Sequence, residues 1–249
     1  MAARRRLDAE LVRRGLASSR SEAAAAVEAG LVTVAGAPTR KPSRLVAPDE
    51  PVVVAGPPRR FVSRGGEKLD AALHEFGLDV SGWRVLDAGS STGGFTDCVL
   101  QRGAVSVVAV DVGHHQLHEQ LRADERVTVC EGTNIRHADP AELGAPFDLV
   151  VADLSFISLR TVAETLVGMV RPGGSLVWLV KPQFEVGRAE ASKGRGVVRD
   201  PESRARVRSE IHVHLTTLHA HVHGWMDSPV PGPAGNVELL VHATVKDDE

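Results

Sequence analysis

Five apolar runs of strand length, at residues 83–86, 105–110, 127–130, 149–152 and 176–180, recur along the chain with helical patterns between them. Runs this uniformly apolar read as strands buried on both faces, and such a sheet is parallel, with helices covering each side. The helical patterns agree with this. Leu69, Ala72, Leu73 and Phe76 recur at i, i+3, i+4 and i+7, residues 159–170 form a second pattern, and Asp200-Pro201 opens a third with an N-cap followed by a proline at the first helical position. Residues 237–245 read as a late strand. The expected fold class is α/β, a Rossmann-like sheet with helices on both faces.

The first sixty residues follow a different pattern. Leu7, Leu11 and Val12 make an apolar stripe that Gly15 can end, and Ser19-Arg20-Ser21-Glu22 is a capping box for a second helix that Gly30 closes. Alternation from Leu31 to Val34 and the run Val52-Val53-Val54 predict short strands before the Pro/Gly-rich Ala55-Gly56-Pro57-Pro58. The organisation expected is a small α+β domain over 1–58, a linker at 59–62 and the larger domain over 63–249.

Charge divides at the same place. Residues 1–60 carry a balance of +5 and the other 189 a balance of −8, so a basic head is joined to an acidic body. A local basic patch suits phosphate binding even though the whole chain stands at −3. The same charges could also be a solvated surface. Two cysteines, Cys98 and Cys130, exclude a disulfide scaffold and a Cys-based zinc site. Acids follow Arg4, Arg5 and Arg6 where a signal peptide would be apolar, and no apolar run approaches 18 residues. Secretion and membrane spanning are not expected, and a reducing, cytoplasmic setting is.

The segment from Leu86 to Asp97, LDAGSSTGGFTD, follows a buried strand and opens a helix. Its glycines permit a tight turn and a close approach of ligand to backbone. The spacing is not G-x-G-x-x-G. Asp-x-Gly-x-x-x-Gly resembles the first motif of S-adenosyl-L-methionine-dependent methyltransferases, in which the acid lies near the cationic end of the cofactor. The resemblance implies contacts from Asp87, Gly89, Ser91, Thr92, Gly93, Gly94 and Phe95. Asp111 ends the next strand 22 residues after Gly89, where an acid can accept hydrogen bonds from ribose hydroxyls. Asn134 and Ile135, after the third strand, would flank the adenine. A Gly-rich structural turn and a plain helix cap are the simpler readings of the loop and of Asp111.

The fourth and fifth strands deliver Asp153 and Lys181 to the same carboxyl edge. A lysine at the end of a buried strand is costly unless it is paired or used. It could accept a proton from a weakly acidic hydroxyl if Lys68 supplied a second cation nearby, or it could form a structural ion pair with Asp153.

Five ordered strings, VSRGGEKL, LDAGSSTGGFTD, DLVVADLSFISL, LVKPQFE and PGPAGNVE, resemble the TlyA family of ribosomal RNA 2′-O-methyltransferases, formerly haemolysin A, with an FtsJ-like catalytic domain. The resemblance covers nearly the whole chain. It implies a Lys-Asp-Lys-Glu tetrad, which falls on Lys68, Asp153, Lys181 and Glu238. It further implies methyl transfer from S-adenosyl-L-methionine to the 2′-hydroxyl of cytidines in 16S and/or 23S ribosomal RNA within ribosomal subunits. Lys181 would accept the proton or orient the hydroxyl, Asp153 and Lys68 would tune its charge, and Glu238 would order the network. The string RLDAELVRRGLASSRSEAAAAVEAGLVTVAG resembles the αL-type RNA-binding module of ribosomal proteins and pseudouridine synthases. That resemblance nominates Arg4, Arg6, Arg13, Arg14, Arg20 and Lys41 as phosphate contacts, which position without reading sequence.

Two irregular stretches, 187–200 and 225–236, are too rich in Gly, Pro and charge to be core. Lys193, Arg195 and Arg199 make the first cationic, so it could clamp RNA or stay a solvated loop. Phe156 and Phe184 are the best aromatic candidates to hold a flipped nucleotide, and both could equally be core. His212, His214, His219, His221 and His223 scatter around an expected helix with no cysteine or cluster of acids joining them, so no metal is expected. The protein is expected to be a monomer. The competing classes are a non-catalytic ribosome-assembly factor, disfavoured by an intact tetrad and cofactor loop, and a membrane-active haemolysin, disfavoured by the lack of a spanning segment.

Overall fold

A computed structural model describes residues 4–17, 20–55, 60–187, 196–232 and 235–246. The chain forms two compact units, Met1–Arg60 and Phe61–Glu249. In the first, strand β1 (Arg5–Arg6) runs into helix α1 (Leu7–Arg13), followed by α2 (Arg20–Glu28), β2 (Val32–Val34), β3 (Ala37–Thr39), β4 (Leu45–Val46) and β5 (Val52–Val54). A three-stranded sheet in the order β3-β2-β5 and the pair β1-β4 cover a core of Leu7, Leu11, Ala23, Val27, Val32, Val34 and Val46. The short strands β1, β3 and β4 have no run long enough to show in the sequence. Ser19 of the expected capping box lies outside the described residues.

The second unit opens with α3 (Arg64–Glu75), capped by the Ser63 hydroxyl, which accepts from the Gly65 amide; Leu69, Ala72 and Leu73 point into the core as their spacing requires. Then follow β6 (Arg84–Ala88), α4 (Gly94–Gln101), β7 (Ser106–Asp111), α5 (Glu119–Arg122), β8 (Val127–Glu131), a 3₁₀ turn (Ile135–His137), β9 (Phe147–Ala152), α6 (Leu159–Val167), β10 (Val170–Val180), α7 (Pro182–Glu185), α8 (Pro201–Thr217), β11 (Ala220–Asp227) and β12 (Leu239–Val245). All five apolar runs are strands. The seven-stranded order is β11-β12-β10-β9-β6-β7-β8, and separate hydrophobic clusters fill its two faces.

The sheet is mixed. β8, β7, β6, β9 and β10 are parallel, whereas β12 runs antiparallel to β10, and β11 antiparallel to β12. Going from β6 the chain first builds outward through β7 and β8, then returns to the other side of β6 as β9. That reversal is the topological switch point, where open α/β sheets hold ligands at their carboxyl ends.

Two expectations are corrected. Residues 225–227, read as irregular, belong to β11, an edge strand whose polar alternation and bulge between Val222 and Gly224 hide it. The histidines do not share a helix: α8, capped by Asp200 as expected, ends at Thr217, His219 turns the chain at φ +58°, and His221 and His223 lie on β11.

Candidate active site

The turn after β6 brings two strand ends into contact. Gly89 has φ +86°, and a Cβ there would sit 2.7 Å from the Asp153 carbonyl oxygen, so no side chain fits between β6 and β9. Gly93, at φ +96°, likewise packs against Leu117 and Leu121. Asp111, ending β7, fastens the loops on either side of it. Its Oδ2 accepts from the Ser91 amide at 2.9 Å and its Oδ1 from the Gly113 amide at 2.7 Å. Glu131, ending β8, accepts from the amides of His115, Gln116 and Leu117 and from Arg122, which hold the carboxyl down to about 2 against its desolvation.

These loops enclose a cavity of 450 Å³ lined by Gly89, Ser91, Asp111, Asn134 and Ile135, five of the ten residues nominated for the cofactor. The other five shape the turn without lining it. Asp87 is fully buried, with Oδ2 accepting from the Thr96 hydroxyl at 2.6 Å and the Thr96 amide at 2.9 Å, and burial pushes its carboxyl up to about 7. The Thr92 carbonyl accepts from the His118 amide, Gly93 and Gly94 admit neighbouring side chains and backbone, and Phe95 belongs to the core. Phe156, nominated for the target nucleotide, also lines the cavity, as do Gln116, Leu154, Ser155 and Ile157, which were not foreseen. A loop residue of this kind carries no periodic signal, and Gln116 depends on Glu131, 15 residues away.

Asp153 lines the same cavity and reaches Lys181 from the neighbouring strand: Nζ lies 2.6 Å from Asp153 Oδ1 and donates to the Ser155 hydroxyl at 2.9 Å. Lys68, on α3, pairs with Glu238, the residue before β12, at 2.5 Å. The four tetrad positions therefore form two ion pairs, one of them buried on both sides, with Lys68 committed to Glu238. Phe156 is 91% exposed at φ +65°, with its ring 5.2 Å from that of the half-buried Phe184. A hydroxyl-bearing ligand entering past these rings would meet Lys181 beside the cavity. A carboxylate with amide-ordered loops at one end, and apolar Val110 and Ile135 beside it, suits a nucleoside with a free ribose diol.

In the first unit the nominated arginines differ from one another. Asp8 accepts from Arg6 and Arg20, and Glu10 from Arg13 and Arg14. Arg4, Arg6, Arg13, Arg20 and Lys41 are exposed. Arg14 is turned inward and bonds Glu10 and the carbonyls of Ala47, Pro48 and Glu50, so its guanidinium ties α1 to the turn before β5 and is spent as a phosphate contact. Lys193 and Arg195 lie outside the described residues.

Among the described residues no group of three potential metal ligands comes together, and no helix is long and apolar enough to cross a membrane. The FtsJ-like methyltransferase family matches residues 61–245, and the S4 domain matches residues 5–52. The 16S/23S rRNA (cytidine-2′-O)-methyltransferase TlyA of Mycobacterium tuberculosis is 50% identical over 249 residues, 100% of this chain and 92% of that protein. Hemolysin A of Brachyspira hyodysenteriae is 37% identical over 239 residues, covering 95% of this chain and 98% of that one. A solved structure of a hemolysin candidate from Streptococcus thermophilus superposes with a TM-score of 0.81 at 37% identity, covering 100% of this chain and 90% of that one. With its glycine-built cavity, its paired tetrad positions and these relatives along its whole length, the chain belongs to the TlyA and hemolysin A family of FtsJ-like methyltransferases.

Proposed function

We propose that the protein methylates the ribose 2′-hydroxyl of cytidine in 16S and/or 23S ribosomal RNA within ribosomal subunits, acting as a monomer in the cytoplasm without a metal ion. Residues 1–58 dock on the RNA backbone through Arg4, Arg6, Arg13, Arg20 and Lys41, and residues 63–249 carry out the transfer. The observation that carries this reading is the Lys181–Asp153 pair, because Asp153 also lines the cavity formed by Gly89, Asp111 and Asn134. Charge, cavity and hydroxyl-facing groups thus share one edge of the sheet.

S-adenosyl-L-methionine supplies an electrophilic methyl group on a cationic sulfur. The remaining work falls to the chain. Asp111 would accept hydrogen bonds from the hydroxyls of the adenosyl ribose, and Asn134 and Ile135 would flank the base. Gln116 lies beside them. Lys181 has one bonding position beyond Asp153 and Ser155, and it uses that position to orient the target hydroxyl. In the transfer the sulfur–methyl bond would break as the methyl–oxygen bond formed, the sulfur leaving as a neutral thioether; the hydroxyl proton would pass to water at the sheet edge, and Asp153 balances the positive charge kept on Nζ. Lys68 and Glu238 fix the floor of this arrangement. Phe156 and Phe184 hold the target nucleotide out of its stack. In-line displacement asks mostly for alignment and exclusion of water, which two ion pairs at a sheet edge supply.

The test is transfer of radiolabelled methyl to purified unmodified ribosomal subunits, comparing wild type with Lys181→Ala. Label on ribosomal RNA that falls by about 10²- to 10⁴-fold in the variant is the expected result. Near-normal turnover by the variant would remove Lys181 from its role, and no label with wild type on either subunit would overturn the activity.

A further inference from the structure

Lys181 and Asp153 reach each other from different strands, so their separation depends on how the segments after β9 and β10 are held together. Besides the Lys181–Ser155 bond, the side-chain hydrogen bonds across that gap converge on Glu185. Glu185 ends α7, four residues beyond Lys181 and one beyond Phe184, and is only 5% exposed. Its Oε1 accepts from the Leu159 amide at 2.7 Å and its Oε2 from the Ser158 hydroxyl at 2.6 Å. Ser158 and Leu159 start α6, directly after the segment that carries Asp153, Ser155 and Phe156. Arg160 closes the ring: its Nε lies 3.5 Å from Glu185 Oε2, and its terminal nitrogens donate to the Glu185 carbonyl and to Glu210 of α8, each at 2.8 Å.

A buried carboxylate is an expensive way to cap a helix. Ser158 already caps α6 by accepting from the Arg160 amide at 3.2 Å, and an ordinary first turn needs little more. What Glu185 adds is reach from the end of one strand to the end of the other. The helix N-terminus and Arg160 offset the charge it brings. Between them, the Lys181–Ser155 bond and the Glu185 bonds pin the intervening segment at both ends, with Phe156 held between them at a left-handed φ.

We infer that Glu185 is a positioning residue for methyl transfer: it clasps the segment bearing Asp153, Ser155 and Phe156 to the segment bearing Lys181 and Phe184, and so sets the spacing of the groups that meet the target hydroxyl. This rests on the proposed function. Its failure is separable from failure of that function, because the wild type is assayed alongside every variant.

The experiment measures kcat for methyl transfer to unmodified ribosomal subunits, the Kd for S-adenosyl-L-methionine by calorimetry, and the thermal midpoint, for Glu185→Asp, Glu185→Gln and Ser158→Ala. Aspartate keeps the charge but withdraws it by one methylene, so kcat falls by about 10- to 100-fold while cofactor Kd stays within about twofold of wild type. Glutamine can still accept from Leu159 and can donate to the Ser158 hydroxyl, so it restores most of kcat. Ser158→Ala removes one of the two bonds and lowers kcat severalfold, and it carries the test alone if Glu185→Asp melts below the assay temperature. An active wild type together with wild-type kcat in Glu185→Asp, or in Ser158→Ala where that variant stands alone, would overturn the clasp. So would a loss of kcat matched in each variant by an equal loss of cofactor binding or of folded protein. No transfer by the wild type would overturn the function and the clasp with it.

Discussion

Acids and bases are paired in both units of the chain, and the pairs at the nominated positions are built in opposite ways. In the first, Asp8 and Glu10 are buried, while three of the four arginines they hold, Arg6, Arg13 and Arg20, reach outward with side chains 48%, 46% and 62% exposed, Arg14 alone being turned inward. In the second, Lys68 and Glu238 are 9% and 0% exposed, while Lys181, 10% exposed, pairs with a part-buried Asp153 at 24%. Pairs with one wet partner cost little and stabilise little, so what they provide is a cation held in a fixed place. Pairs with both partners out of water cost desolvation that their attraction barely returns, so stability is a poor reason for them. The difference teaches a division of labour. On the proposed function, one unit displays charge to a polyanion, and the other keeps charge in a low-dielectric edge where it acts strongly on a reacting group.

The largest expected effect comes from breaking a dry pair. Lys68→Met leaves Glu238 buried and unpaired, with Gly232 already closed against it, and costs about 3–5 kcal/mol of stability in the second unit by chemical denaturation. Adding Glu238→Gln removes the stranded charge and recovers much of that loss. Methyl transfer stays absent in the double variant, because stability and catalysis come from different properties of the pair. Recovery of turnover along with stability would make this pair structural and erase the distinction.

How much of this could be read from residues alone follows the same physical line. The five parallel strands and the helices between them were legible because burial on two faces demands unbroken apolar runs, as in Leu149 to Ala152. β11 was not, because an edge strand with His221 and His223 on it alternates and bulges. The turn from Gly89 to Gly94 was legible as a ligand loop, and Gly89 and Ser91 do line the cavity, yet Thr92, Gly93, Gly94 and Phe95 build the turn without lining it, and Gln116, Leu154, Ser155 and Ile157 join the lining. Asp153 and Lys181 were readable as strand ends. Ser155, Glu131 and Glu185 were not, since each matters through a partner distant in sequence. Arg14 carried the same charge as Arg13 and was read the same way, but only the fold turns one inward and the other out.

Asp8→Asn sharpens the comparison from the wet side. It removes a negative charge from the basic head, so bulk electrostatics alone would strengthen binding to ribosomal subunits. It also releases Arg6 and Arg20, both of which Asp8 holds. If fixed placement is what the pair provides, affinity in a filter-binding titration at constant salt falls, by up to about tenfold, with kcat at saturating subunits unchanged. Tighter binding would mean that charge count, and not its placement, governs the head.

The smallest effect, and the one that separates the units most directly, is on acid and base sensitivity. Hydrogen bonds from Arg6 and Arg13 hold Asp8 and Glu10 at about 2, below the ordinary values of 3.8 and 4.5. Their contribution to folding is therefore present above about pH 4.5 and is lost as pH falls toward 2. Asp87 has the opposite sign. Burial raises it from 3.8 to about 7, so its contribution is complete below the ordinary carboxylate range and is lost as pH rises through 7. Residue-resolved hydrogen exchange on the full chain, normalised for intrinsic rates, should show protection in α1 and β2 weakening on acidification. Protection at the end of β6 should weaken between pH 4 and 7 as pH rises. Asp87→Asn should flatten only the second trend, because an amide can still accept from Thr96 but has no proton to lose. If both units instead loosened together at one end of the scale, the buried carboxyl would be ionised throughout, and the dry edge would begin at Asp153 and not at Asp87 on the neighbouring strand.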